Sequence, residues 1–147
     1  MTRAVEASIA AVDPNSALKG YFGIMDLWSA SDAETRIILG SPSESTFRAW
    51  RRGDEAKPLD DTLRRIGYVA AIFKALQILY SDQSLADRWM RAPNRAFGGQ
   101  SPLDRMGAGD ITDLAAVRSY LDHALTLVDF GENSSMDGFR LGSALVG

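Results

Sequence analysis

The stretch Trp89–Met106, WMRAPNRAFGGQSPLDRM, constrains the fold of this chain more than any other. Proline pushes the residue before it out of the helical region, so Pro93-Asn94 is a turn that ends the helix arriving at Trp89. Gly98-Gly99 permits a backbone reversal open only to glycine. Ser101-Pro102-Leu103-Asp104 then has the composition of a helix start. Serine serves as N-cap, proline takes the first helical position, and a carboxylate faces the positive end of the helix dipole. Two helices joined by a rigid elbow of fixed shape follow from these residues. A glycine–proline loop between two core helices, with no partner, would have the same local chemistry.

The rest of the chain reads as helices arranged around that elbow. Met1–Asn15 ends in Asp-Pro-Asn and reads as an arm. From Ser16, residues Leu18, Tyr21, Phe22, Met25 and Trp28 fall at i, i+3, i+4, i+7 and i+10, one face of a helix. Gly20 and Gly23 each cost that helix about 1 kcal/mol relative to alanine. Ser31-Asp32-Ala33-Glu34 is a capping box for a helix that Gly40 stops. Ser41-Pro42-Ser43-Glu44 reads as a second box, with proline at the first helical position, opening a helix through Arg52 that Gly53 terminates. Helix, tight glycine turn and short helix is the helix-turn-helix order.

Asp54–Pro58 is a polar linker, and Leu59–Tyr80 reads as a long helix apolar on more than one face, with Lys74 and Gln77 on its wet side. Its exposed part is a candidate dimer surface. Ser84 is the expected cap of a short helix ending at Trp89 or Met90. Beyond the elbow and the Gly107–Gly109 break, Leu114, Val117, Leu121, Ala124, Leu125 and Val128 form one stripe of a last helix, with Arg118 and Asp122 as an i, i+4 pair. His123 lies on its polar arc. The expected class is all-α with about seven helices: an arm (1–15), a helix-turn-helix portion with the long helix (16–80), a helical module (81–130) and a flexible tail (131–147).

In the Ser43–Arg52 helix, Phe47 and Trp50 are spaced to point inward. Ser43, Ser45, Thr46, Arg48, Arg51 and Arg52 are then the candidate DNA-contacting set, arginines for phosphates or guanine edges and hydroxyls for backbone oxygens. Three arginines near a helix C-terminus also complement its dipole and solubilise it, so both readings stand. Net charge is −3 over 147 residues. Any nucleic-acid contact must therefore come from a local basic face, which a dimer would present twice.

The chain has no cysteine and one histidine, which excludes a disulfide framework or thiolate metal site and leaves little for a zinc site or histidine-dependent triad. No phosphate-binding glycine motif occurs, and Asp60-Asp61 and Asp110/Asp113 sit where helix dipoles account for them. No enzyme, cofactor or metal is expected. Neither a signal peptide nor a membrane span is legible at the N-terminus, which implies a cytoplasmic protein. The segment Gly131–Gly147, GENSSMDGFRLGSALVG, is rich in glycine and serine yet carries Phe139, Arg140, Leu141, Leu145 and Val146, more apolar side chains than a purely disordered tail holds.

A helix ending in Trp, then P-N, then an aromatic residue before G-G and S-P-L-D, resembles the C-terminal module of Xre/MbcA/ParS-type antitoxins. Upstream, LGSPSESTFRAWRRG is similar to Xre-type regulators, with about one extra residue between Gly40 and Trp50 that would tilt the second helix. The resemblance implies a type II antitoxin that neutralises a RES-domain toxin, itself a user of NAD. It also implies binding to operator DNA as a homodimer or as a hetero-oligomeric complex with the toxin. It assigns toxin contacts to Phe97, Gly98, Gly99, Ser101, Pro102, Leu103 and Asp104 of the elbow, and to Phe139, Arg140, Leu141 and Leu145 of a tail that would plug the toxin's pocket. The alternatives are a toxin-binding module whose helix-turn-helix is only scaffold, and a plain transcription regulator.

Overall fold

A computed structural model describes residues 13–131, and these are helical throughout, without a strand. The α-helices are α1 (Pro14–Leu27), α2 (Asp32–Ile38), α3 (Glu44–Arg52), α4 (Asp60–Leu79), α5 (Gln83–Trp89), α6 (Pro102–Met106) and α7 (Ile111–Gly131). A single 3-10 turn, Arg95–Phe97, lies between α5 and α6. The all-α class and the helix count match the expectation among the described residues. No helix among them is long and apolar enough to cross a membrane.

Three caps differ from the sequence reading, each for a local reason. Helix α1 begins at Pro14 rather than Ser16, because the Asp13 carboxylate accepts from the backbone N–H groups of Asn15 and Ser16 at 3.1 and 3.2 Å. Asn15 is no part of a loose arm: its amide donates to Asp54 O at 3.0 Å and accepts from Ala56 N at 3.1 Å. Helix α3 is capped by Ser43, whose Oγ accepts from Thr46 N at 3.2 Å. Ser41 cannot be that cap, since it continues the left-handed turn of Gly40, with φ of 56° after 106°. Pro42 therefore lies in the connection, its carbonyl taken by Arg36 at 2.6 Å. Helix α5 is capped by Asp82 instead of Ser84, whose N–H and hydroxyl both donate to the Asp82 carboxylate. Those hydrogen bonds from Ser84 hold the Asp82 carboxyl below its usual range.

Helix α4 is the centre. It packs most extensively on α7, and also on α1 and α5, burying Ile66, Val69, Ile72, Ala75, Leu76 and Leu79. Helix α7 returns Leu114, Val117, Leu121 and Ala124, and α1 adds Leu18, Tyr21, Phe22 and Met25, as their spacing predicts. Lys74, Gln77 and His123 are exposed. Arg118 pairs with Asp122 at 3.9 Å as its spacing suggests, but it is also buried, with its guanidinium 5.2 Å from the Tyr68 ring.

Arg65 joins the two halves of the chain. It is 8 % exposed, and its Nε donates to Asp61 at 2.8 Å while Nη1 donates to Gly109 O at 2.9 Å, just ahead of α7. Gly40 makes room for it, since a Cβ there would sit 3.2 Å from Arg65 Nε. Truncation would leave the Gly109 carbonyl and the Asp61 carboxylate without this donor. Arg65→Ala should lower the unfolding free energy by about 2–3 kcal/mol, read from the midpoint of urea unfolding at unchanged slope. A loss below about 0.5 kcal/mol would mean that water replaces the guanidinium without cost.

Candidate functional site

The elbow is a closed ring of backbone hydrogen bonds around Asn94. Its N–H donates to Gln100 O at 3.0 Å, and its carbonyl accepts from both Phe97 N and Gly99 N at 3.0 Å. Its side-chain oxygen accepts from Ala96 N at 2.9 Å, capping the 3-10 turn. Gly98 and Gly99 close the ring with φ of 68° and 92°. A Cβ at either would meet nothing within 4 Å, so these positions select glycine by torsion and not by space.

The following helix starts as its sequence predicts. Ser101 Oγ accepts from Asp104 N at 3.0 Å, with Pro102 at the first helical position. Leu103 N donates to Met90 O at 3.0 Å, which binds the start of α6 to the end of α5. From α7, the Tyr120 ring stacks on Trp89 at 6.0 Å between centroids and meets Phe97 at 5.4 Å. Burial raises the pKa of the Tyr120 phenol, and a hydrogen bond with the Asn94 side chain pulls it partly back. Next door, burial assisted by Tyr120 pushes Tyr80 up to about 12. Arg105 of α6 pairs with Asp113 of α7 at 2.9 Å, which fixes the far side of the elbow.

This geometry separates the sequence-derived elbow residues into two groups. Phe97, Ser101, Pro102 and Leu103 are buried within the chain. Gly98, Gly99 and Asp104 are exposed, and Pro93, Arg95, Ala96 and Gln100 complete the exposed rim. Phe139, Arg140, Leu141 and Leu145 lie outside the described residues. The sequence reading took Asn94 only as a turn signal and missed Tyr120. A signal for Tyr120 existed, since it lies one turn beyond Val117 and beside Leu121 on the buried stripe of α7.

The second candidate set lies on α3. Phe47 is buried and Trp50 partly buried against the core, while Ser43, Ser45, Arg48, Arg51 and Arg52 are exposed and Thr46 is half-buried. Each of the three arginines already has a carboxylate. Arg48 pairs with Glu44 at 3.0 Å, Arg52 with Asp54 at 2.8 Å, and Arg51 with Asp26 at 2.8 Å and Asp32 at 3.8 Å. Arg51 also lies 4.8 Å from the Phe22 ring, clamping α3 to α1. Four carboxylates thus face three guanidinium groups, so this face carries no excess of positive charge.

Comparison with known proteins finds similarity over the elbow and the helices around it. A model of the antitoxin Xre/MbcA/ParS C-terminal toxin-binding domain matches residues 75–124, from the last turn of α4 through most of α7. The chain is also similar to the uncharacterized protein y4oB of Sinorhizobium fredii, at 41% identity over 105 residues. That match covers 71% of this chain and 81% of the relative. No solved structure matches significantly.

The two kinds of arginine on α3 should separate by stability. Arg51→Ala should cost about 1–2 kcal/mol, through the lost ring contact and the carboxylates left behind, against no more than about 0.5 kcal/mol for Arg48→Ala. Urea unfolding of the two variants checks this, and equal losses would remove the clamp role of Arg51.

Proposed function

Because the chain belongs to the Xre/MbcA/ParS antitoxin family, whose toxin-binding domain it carries, we propose that it is the antitoxin of a type II system and neutralises a cytoplasmic RES-domain toxin that uses NAD. The exposed rim of the elbow docks on the toxin, and the segment after Gly131 reaches into its nucleotide pocket. The observation that carries this reading is the construction of the elbow. Its apolar residues are spent on internal packing, and two glycines in left-handed conformations hold a projecting backbone rim over a rigid aromatic base. Such a loop loses little entropy on binding, because its shape is set beforehand. The tail supplies area: Phe139, Leu141, Leu145 and Val146 would each gain from burial at about 25 cal/mol per Å², while Arg140 meets the polar groups that hold the nucleotide.

For the α3 face, the ion pairs favour the scaffold version of this function over an operator-reading one. Phosphates could displace the exposed partners of Arg48 and Arg52, since such pairs are worth at most about 1 kcal/mol each. The displaced carboxylates of Glu44 and Asp54 would then stand against the DNA backbone. Operator binding is the second reading, favoured by the exposure of Ser45, Arg48 and Arg52. It would be strongest in a homodimer or in the toxin complex, where the face is repeated.

The experiment co-expresses the chain with a candidate RES-domain toxin and measures copurification and NAD consumption. Deletion of Asp137–Gly147 should leave the complex intact but restore NAD turnover. Gly99→Ala, strained by about 1–2 kcal/mol at its left-handed angle, should weaken the complex about tenfold. A truncated chain that still silences the toxin fully would show that something else closes the pocket. Failure of the wild-type chain to copurify would remove the toxin assignment itself. Gel shift of the chain's own promoter DNA at physiological salt decides between the two versions. No specific shift is expected from the free chain, and a shift abolished by Arg48→Ala would establish the operator reading.

A further inference from the structure

The aromatic base of the elbow is completed by one residue of another helix. Tyr120 of α7 places its ring against both Trp89, the last residue of α5, and Phe97, the last residue of the 3-10 turn. Its hydroxyl is hydrogen-bonded to the Asn94 side chain. The Asn94 oxygen accepts from Ala96 N, and the bond with Asn94 favours the ionised phenol, so it is the side-chain NH2 that donates to the Tyr120 oxygen. Asn94 is 2 % exposed, so water does not readily substitute for that partner. Four of the loop's hydrogen bonds run through this residue, from Ala96, Phe97 and Gly99 and onward to Gln100.

We propose that Tyr120 is a positioning residue of the toxin interface, holding the Asn94–Gln100 loop in the one shape the partner recognises. This rests on the reading of the elbow rim as the docking surface, and it assigns that surface's shape to a side chain that does not belong to it. The glycine pair permits many backbone angles in a free chain, and choosing one set of them requires an external anchor. The aromatic contacts fix where the loop sits, while the hydroxyl fixes the rotamer of Asn94 and with it the cap on Ala96 N that opens the loop. Loss of the ring would undermine α5 and α7 together; loss of the hydroxyl alone would loosen only the loop.

The test compares the full chain with its Tyr120→Phe and Gly99→Ala variants. In Tyr120→Phe, amide hydrogen exchange at Ala96, Phe97 and Gly99 should quicken about tenfold while Ile72 and Leu76 of α4 stay unchanged, as expected for a local opening that has lost one hydrogen bond. The complex with the co-expressed RES-domain toxin should dissociate about tenfold faster, with the association rate little altered. Unchanged loop exchange overturns the proposal, and so does an equal rise across α4, which would make Tyr120 an ordinary core residue. Faster loop exchange with unchanged dissociation, in a background where Gly99→Ala does speed dissociation, also overturns it and leaves the docking surface standing. If neither variant alters dissociation, the elbow is not the toxin surface and both readings fall.

Discussion

The burial of α4 is the constraint on which the rest of the structure depends. A helix apolar on more than one face cannot leave those faces in water, so it recruits α1, α5 and α7 to cover them while Lys74 and Gln77 stay wet. That requirement brings the two halves of the chain into one core, and it places α7 where Tyr120 can reach the elbow. Arg65 adds direction to what apolar burial leaves non-directional. A guanidinium taken this far out of water has few tolerable arrangements, and its bonds to Asp61 and to Gly109 O specify one register between α4 and the start of α7.

Much of this was legible in the sequence, for identifiable reasons. The helices follow from apolar spacing, and the elbow follows from Pro93, the glycine pair and Ser101-Pro102, whose conformational restrictions act locally and do not wait for tertiary context. What was not legible required a partner from elsewhere in the chain. Ser41 looks like a cap until the left-handed turn of Gly40 extends through it. Asn94 looks like a turn residue until its ring of hydrogen bonds closes. Arg65 gave little local signal because its contacts lie far away in sequence, and the helical spacing that marks Tyr120 does not show which rings it meets. Gly20 and Gly23 face solvent with open space around them, and nothing in the structure explains why a helix tolerates both.

The α3 arginines show why residue type and exposure do not by themselves define a nucleic-acid surface. The spacing that turns Arg48, Arg51 and Arg52 outward holds in the structure, but Glu44 comes one turn before Arg48, Asp54 follows Arg52, and α1 and α2 bring Asp26 and Asp32 to Arg51. Phosphate binding gains from counterion release only when the protein charge is uncompensated. Here much of that charge is spent within the fold, on holding α3 against α1 and on closing its two ends.

The elbow inverts that arrangement. On α3 the side chains point outward while their charge is used internally. At the elbow the large apolar side chains are used internally, and what points outward is the glycine backbone with Pro93, Ala96 and polar side chains. A surface of that kind gains little from area alone, because its large apolar side chains, Phe97 and Leu103, are already buried. Its selectivity must come from shape, which is costly to hold in a loop containing two adjacent glycines. The aromatic base of Trp89, Phe97 and Tyr120 and the ring of hydrogen bonds about Asn94 meet that cost during folding rather than during binding, so a partner complementary to the rim encounters a surface that is already formed.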